Sequence, residues 1–488
     1  MKFNKTIFKC LLICLLCIFS EKIVAQQNKV DSVINLINLS MNNNKVDSND
    51  IINAVEIISR ASLNDNQINQ IDSTSNLLCN KWPNEDWPYY VKLGIIRNGF
   101  NGDAYKTIAY GKLQIEKLDK INLPWASNIK SEYLALLRFP FRNSTLLDDG
   151  FKYYTQKLND YKFKNDSVGL RECYFVLAGF YNISGLTDLA IYNIKKSISY
   201  VDSASNKEAW INNVGVLGYY YLKKGNRDEC LKYSMMSLKQ RERFAYVSLN
   251  MAMMMLVNNE TDSALYYINL ARKDSLSGSI GDFTQIMQNE ALYRIEKGDL
   301  DSAEILLKKC WQIINDNKLP VNAAGGTMAP DYYLALIRIK QNKFDEAIAL
   351  LYKDIERLLN NRLDKLRDYK LIAELYKKTG RHDKASETFT TYISLKDSLL
   401  ADQDKYRSYS FEAEQQMNEK QLEITNLVSK NKIASLSRNF SIGIALLLLL
   451  IAAGLYNRFY TKKKANLILE KTLTELKSTQ QQLVQSEK

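Results

Sequence analysis

Between residues 170 and 400 one arrangement of small, turn-forming and large apolar positions occurs six times. A small residue is followed seven positions later by a turn residue, and five positions after that by a second small residue. The first small residues are Ala178, Gly218, Ala252, Ala291, Ala335 and Ala373, and the turn residues are Gly185, Gly225, Asn259, Gly298, Asn342 and Gly380. The second small residues are Ala190, Cys230, Ala264, Ala303, Ala347 and Ala385. Leu177, Leu217, Met251, Leu334 and Ile372 stand just before the first small column, and Ile194, Ile268, Leu307, Leu351 and Phe389 stand four after the second. Glu290 and Ser234 break these apolar columns. Two antiparallel helices approach closely only where both carry small side chains, and a tight turn between them needs Gly or Asn in the left-handed region. The pattern therefore predicts six helix pairs.

The turn residues recur 34 to 44 positions apart. In this the chain resembles the tetratricopeptide repeat family, whose 34-residue unit carries the same small, Gly, small order. The clearest unit is Tyr369 to Leu399, with Ile372, Ala373, Tyr376, Gly380, Ala385 and Phe389 in the family's signature places. The resemblance covers about residues 170 to 400 and implies a right-handed solenoid over 166–400. Such arrays usually bind peptides or proteins on the concave surface lined by each first helix. Asn182, Lys223, Glu374 and Lys377 are the candidate contact residues, with ordinary solvated helix positions as the alternative for each. Residues 26–165 also read as helical, but Pro83, Pro88, Pro124 and Pro140 interrupt them and the register fails; they are expected to be degenerate, capping repeats.

Beyond the repeats the period changes and the breakers vanish. No Gly or Pro lies between Gly380 and Gly443, which predicts a helical stalk over 401–438 with an irregular stripe of Phe411, Met417, Leu422, Ile424, Leu427, Val428, Ile433 and Leu436. Residues 439–457 carry no charge and no polar face, and nineteen helical residues rise about 28 Å, so this stretch is expected to be a transmembrane helix. Arg458, Lys462, Lys463 and Lys464 follow and put the C-terminal side in the cytoplasm. In residues 458–488, Leu469, Leu476 and Leu483 fall seven apart with Leu473 between them. These four form the seam of a short parallel coiled coil, most simply a homodimer; a lone amphipathic helix on the membrane surface is the alternative.

Composition and the N-terminus add the compartment. With 6 Pro and 19 Gly in 488 residues the chain has too few breakers for a sandwich or barrel and reads as all-α. Lys2, Lys5 and Lys9, then the apolar run Cys10 to Phe19, then Ala25, follow the plan of a secretory signal peptide over 1–25, with an uncleaved anchor as the alternative. Cys14 and Cys17 lack the small preceding residue that lipoprotein processing favours. The expected location is the inner membrane, single-pass, with the repeats in the periplasm. The net charge of +12 gathers partly in the leader and the stop-transfer cluster, and elsewhere Lys alternates with Asp and Glu along helix faces, so no nucleic-acid partner is expected.

Candidate chemistry is sparse. His382 is the only histidine, which rules out multi-histidine metal sites by arithmetic, and its place two residues after Gly380 reads as packing or surface exposure. Cys79, Cys173, Cys230 and Cys310 lie far apart without metal spacing; small core residues explain Cys230 and Cys310, while disulfides stay open in an oxidising compartment. Gly325-Gly326 lacks the Gly-Lys-Ser/Thr of a phosphate loop, and Asp148-Asp149 has no partner motif. Catalysis, metals and cofactors are not expected.

The order of signal peptide, repeats, stalk, membrane helix and coil resembles the sensory and transmembrane part of tetratricopeptide-containing sensor histidine kinases of Gram-negative bacteria. It departs from them at Lys488, where the kinase core would begin. The resemblance implies an extracytoplasmic module that binds a periplasmic protein or peptide and relays that event across the membrane, with a kinase core or response regulator in trans. The alternative is a non-signalling, membrane-tethered scaffold for envelope complexes. The DNA after codon 488 is expected to separate them.

Overall fold

A computed structural model describes residues 31, 35, 48–60, 63–142, 145–201, 206–240, 245–275, 280–317, 329–358 and 361–486. The expected signal peptide and Gly325-Gly326 lie outside the described residues. The chain divides into two compact units, Met1–Ala413 and Glu414–Lys488. Among the described residues every regular element is helical and no strand occurs.

In chain order the helices are α1 Ser48–Arg60, α2 Asp65–Lys81, α3 Trp87–Asn98, α4 Ala104–Leu118, α5 Pro124–Arg142, α6 Leu147–Lys164, α7 Ser167–Ile183, α8 Thr187–Ser199, α9 Lys207–Lys223 and α10 Arg227–Gln240. They continue as α11 Ala245–Val257, α12 Thr261–Ser275, α13 Ile280–Lys297, α14 Leu300–Asp316, α15 Pro330–Lys340, α16 Phe344–Arg357, α17 Arg362–Lys378 and α18 His382–Ser486. In the early region three of the prolines that obscure the sequence pattern sit at or before helix starts: Pro83 precedes α3, Pro88 lies in its first turn and Pro124 opens α5. A helix start lacks an N–H partner anyway, so proline costs nothing there. Pro140 lies inside α5, in its last turn.

All six turn residues adopt the left-handed conformation, with φ of 78° at Gly185, 72° at Gly225, 61° at Asn259, 83° at Gly298, 59° at Asn342 and 73° at Gly380. In each pair the N–H of the next residue reaches back five positions to a helix carbonyl, from Leu186 to Tyr181 (2.8 Å) through to Arg381 to Tyr376 (2.9 Å). This closes the orphan carbonyls at the helix end. Several helices open on side-chain caps, where Asp166, Asn206, Asp299 and Asn361 accept from the N–H three residues on. Local chemistry thus fixes both ends of the units.

The small columns form the seams. Ala178, Ala252, Ala291, Ala335 and Ala373 are fully buried, as are Ala190, Cys230, Ala264, Ala303 and Ala347. The two breaks in the apolar columns have separate causes. Ser234 is fully buried opposite Gly218, where an added Cβ would come within 2.6 Å of the Ser234 Oγ, so α9 and α10 pack closer than side chains of ordinary size allow. Glu290 instead accepts from Arg272 and Arg294.

Candidate functional site

From α7/α8 to α17 each second helix packs on the next first helix, and from α9 through α15 each first helix also packs on the next first helix, so these first helices share one face. Three pairs carry a further tie within them. Ser197 Oγ donates to the Arg171 carbonyl (2.8 Å), Ser237 Oγ to Ile211 (3.0 Å) and Cys310 Sγ to Thr284 (3.7 Å), each spanning 26 residues. These donors stand seven after the second small residue, with Ala271 in the same column. Cys79, Cys173, Cys230 and Cys310 are free thiols, and burial pushes Cys230 up to about 11 and Cys310 to about 12. They fill space.

The four sequence candidates sit near the ends of first helices. Asn182 is half-buried in the last turn of α7, Lys223 is exposed at the end of α9 with its ammonium 5.9 Å from the Tyr219 ring, and Glu374 and Lys377 are exposed on α17. No hydrogen bond or ion pair among the described residues joins any two of them, so they are separate points on the array. His382 is exposed at the start of α18. No group of three or more His, Cys, Asp or Glu among the described residues is arranged to hold a metal.

Two constellations went unread in the sequence. The first lies where α15, α16 and α17 meet. Asp354 occupies the column that holds Ser197, Ser237 and Cys310 in other pairs, and it is fully buried with Asp331 and Asp368. The Arg367 guanidinium lies 3.8 Å from the Tyr332 ring and bonds Asp368 (2.7 Å) and Asp354 (3.2 Å). Arg357 pairs with Asp331, lies 4.1 Å from the Trp311 ring, and the indole N–H donates to Asp331 (3.1 Å). Burial, the adjacent Asp368 charge and a hydrogen bond to it push Asp354 up to about 8, against the pull of Arg367. Burial also raises Asp368. Asp354 Oδ1 and Asp368 Oδ2 have no hydrogen-bond partner among the described residues, and a proton on either acid would supply the missing donor.

The second constellation joins distant parts of the first unit. Gln403 Nε2 donates to the Ser184 carbonyl (2.7 Å) in the turn between α7 and α8. Tyr406 stacks on Phe151 of α6 with centroids 4.2 Å apart and an interplanar angle of 19°. The Tyr409 hydroxyl donates to Asp148 (2.7 Å), which also receives Lys405 (2.7 Å) and Lys152 (3.1 Å). Burial would raise the Asp148 carboxyl, but these three donors outweigh it and hold it below its ordinary value. Arg362 of α17 pairs with Asp402. A signal was present in the spacing of Gln403, Tyr406 and Tyr409, three apart on one helical face.

The six left-handed turns and buried small seams define the array. Its fold is tetratricopeptide-like. No family model matches the chain, and no curated protein does. Among solved structures it is similar to the apo form of the quorum sensor NprR from B. thuringiensis, at 17% identity over 71% of this chain and 99% of that one, with a TM-score of 0.42. It is similar also to a tetratricopeptide repeat protein from Parabacteroides merdae, at 14% identity over 64% of this chain and 97% of that one, TM-score 0.39. A Rap protein complexed with competence and sporulation factor matches at 12% identity over 73% and 100%, TM-score 0.39.

In the second unit, Asn418–Ser486 of α18 holds one stretch long and apolar enough to cross a membrane, and none of that stretch is buried. Leu469, Leu473, Leu476 and Leu483 are all exposed.

Proposed function

We propose that this chain is a membrane-anchored, extracytoplasmic binding module that relays occupancy of its helical-repeat array to the cytoplasm, as the input half of a sensor kinase does. One observation carries the reading. The helix that follows the last left-handed turn, His382–Ser486, is also the helix that carries the uncharged span, the basic cluster after it and the leucine seam. An anchor needs only an apolar span, whereas a relay needs helical backbone running from the sensing repeats through the bilayer to an output. The exposed leucines supply that output by pairing with a second copy, and a kinase core or response regulator acts in trans. In this reading the array binds a protein or peptide and catalyses nothing.

Topology is the first test. A cysteine replacing exposed Ile305 should react with a membrane-impermeant maleimide once the outer membrane is opened, and one replacing Ser478 only after the inner membrane is lysed. Ser478 labelling without lysis would sink the reading. Leu476→Cys should crosslink between copies in membranes, and a monomeric product with Ile305 and Ser478 correctly placed would leave a tethered scaffold instead.

A further inference from the structure

We infer that residues 402–409 form a clasp that closes the repeat array on itself and gauges the angle between its repeats. The clasp deepens the relay reading by naming the contact at which occupancy would be read, but it rests on geometry of its own. Gln403 and Ser184 are 219 residues apart, Tyr409 and Asp148 261. Ties within and between successive pairs span far less, 26 residues for Ser237 to Ile211 and 44 for Tyr133 to Tyr89. In a solenoid each repeat touches only its neighbours, and curvature is the sum of small rotations from one repeat to the next. A contact between pairs α5/α6 and α7/α8 on one side and α18 on the other therefore closes only at one value of that sum. Any ligand that changes the angle at one seam moves Gln403 and Tyr406 away from Ser184 and Phe151.

The clasp has the composition such a gauge needs. Its centre is a buried stacked pair, Tyr406 on Phe151, with Tyr406 joined to the largest apolar core of the unit. Its rim is the half-exposed Asp148 with Lys405, Lys152 and Tyr409. The turn it grips is built for close approach. A Cβ on Gly185 would lie 2.9 Å from Gln403 Nε2 and 3.1 Å from Leu363, whereas one on Gly225, Gly298 or Gly380 would meet nothing within 4 Å. One of the four turn glycines thus has a second duty.

The test uses the full chain in nanodiscs, with exposed thiols replaced by serine and spin labels on Gln156→Cys of α6 and Glu412→Cys of α18, both exposed sites. The closed clasp should give a short, narrow distance distribution. Gln403→Ala with Tyr406→Ala should lose that component while the buried thiols of Cys230 and Cys310 stay unreactive, which shows the array still folded. Gly185→Ala should do the same and Gly225→Ala should not, although both strain a left-handed turn. Gly218→Ala wedges α9 against Ser234 without touching the clasp, and should shift the mean distance. A distribution unchanged in the double variant would overturn the clasp, and one unmoved by Gly218→Ala would overturn the gauge. If the distances behave as expected and Leu476→Cys crosslinking does not follow them, the clasp stands and the relay falls.

Discussion

The buried acids of the last pairs show how much one side chain can change. Asp354 takes a place where other pairs have a hydroxyl, a thiol or a methyl, and there it is buried beside Asp368 with Arg367 bonded to both. Its folded pKa is about 8 against an ordinary 3.8, so the folded state binds the proton more tightly than the unfolded chain does. That stabilisation is complete below the ordinary value and is lost as pH rises through about 8. Asp331, Asp364, Asp368, Arg357, Arg367 and Lys353 face the same cluster. Asparagine is the shape of the protonated acid. We expect Asp354→Asn to change stability at pH 5 by less than about 1 kcal/mol and to raise it at pH 9 by about 1 to 2 kcal/mol over the wild type. Thermal melts at the two pH values check this, and parallel curves for both proteins would exclude the proton on Asp354.

At the scale of the helix pair, the turn and the seam were legible and the exceptions were not. Gly185 to Gly380 could be read because a left-handed turn admits almost nothing but Gly and Asn, and the small columns because close helices admit nothing larger. Asp354 could not be read, since an acid on a charged helix looks like solvated surface until its neighbours are in place. The clasp was hidden for a different reason: the spacing of Gln403, Tyr406 and Tyr409 marks a helical face, but nothing local says that its partners lie more than 200 residues away. The described residues of 48–164 fold mostly as helices, and three of their four prolines blurred the register because they stand at or before helix starts. Substitutions at two positions test the element-level rules. Asn342→Ala should cost about 1 kcal/mol by putting a Cβ-bearing residue without a local hydrogen bond at φ 59°, while Asn342→Gly should be neutral or better. Cys310→Ser should keep the tie to the Thr284 carbonyl, and Cys310→Leu should cost about 1 to 3 kcal/mol by overpacking. Denaturant titration reads all four.

At the scale of the whole molecule, the proposed location rests on the candidate span. Leu448 lies at the middle of the uncharged stretch and is exposed. In the proposed topology an arginine there costs about 2.5 to 3.5 kcal/mol for insertion, and Leu448→Arg should then move the chain from the carbonate-resistant to the extractable fraction. The clasp also has a meaning in time. The repeats form from ties such as Ser237 to Ile211, 26 residues apart, and such near neighbours meet quickly. Gln403 and Ser184 cannot meet until every pair between them has assumed its angle, because the entropy of closing so long a loop is repaid only when the intervening chain is already ordered. The contact that completes the array is therefore the last to appear during folding and the first to leave during unfolding, and loss of the Tyr406 ring should quicken an early unfolding phase while leaving the breakdown of the individual pairs at its own rate.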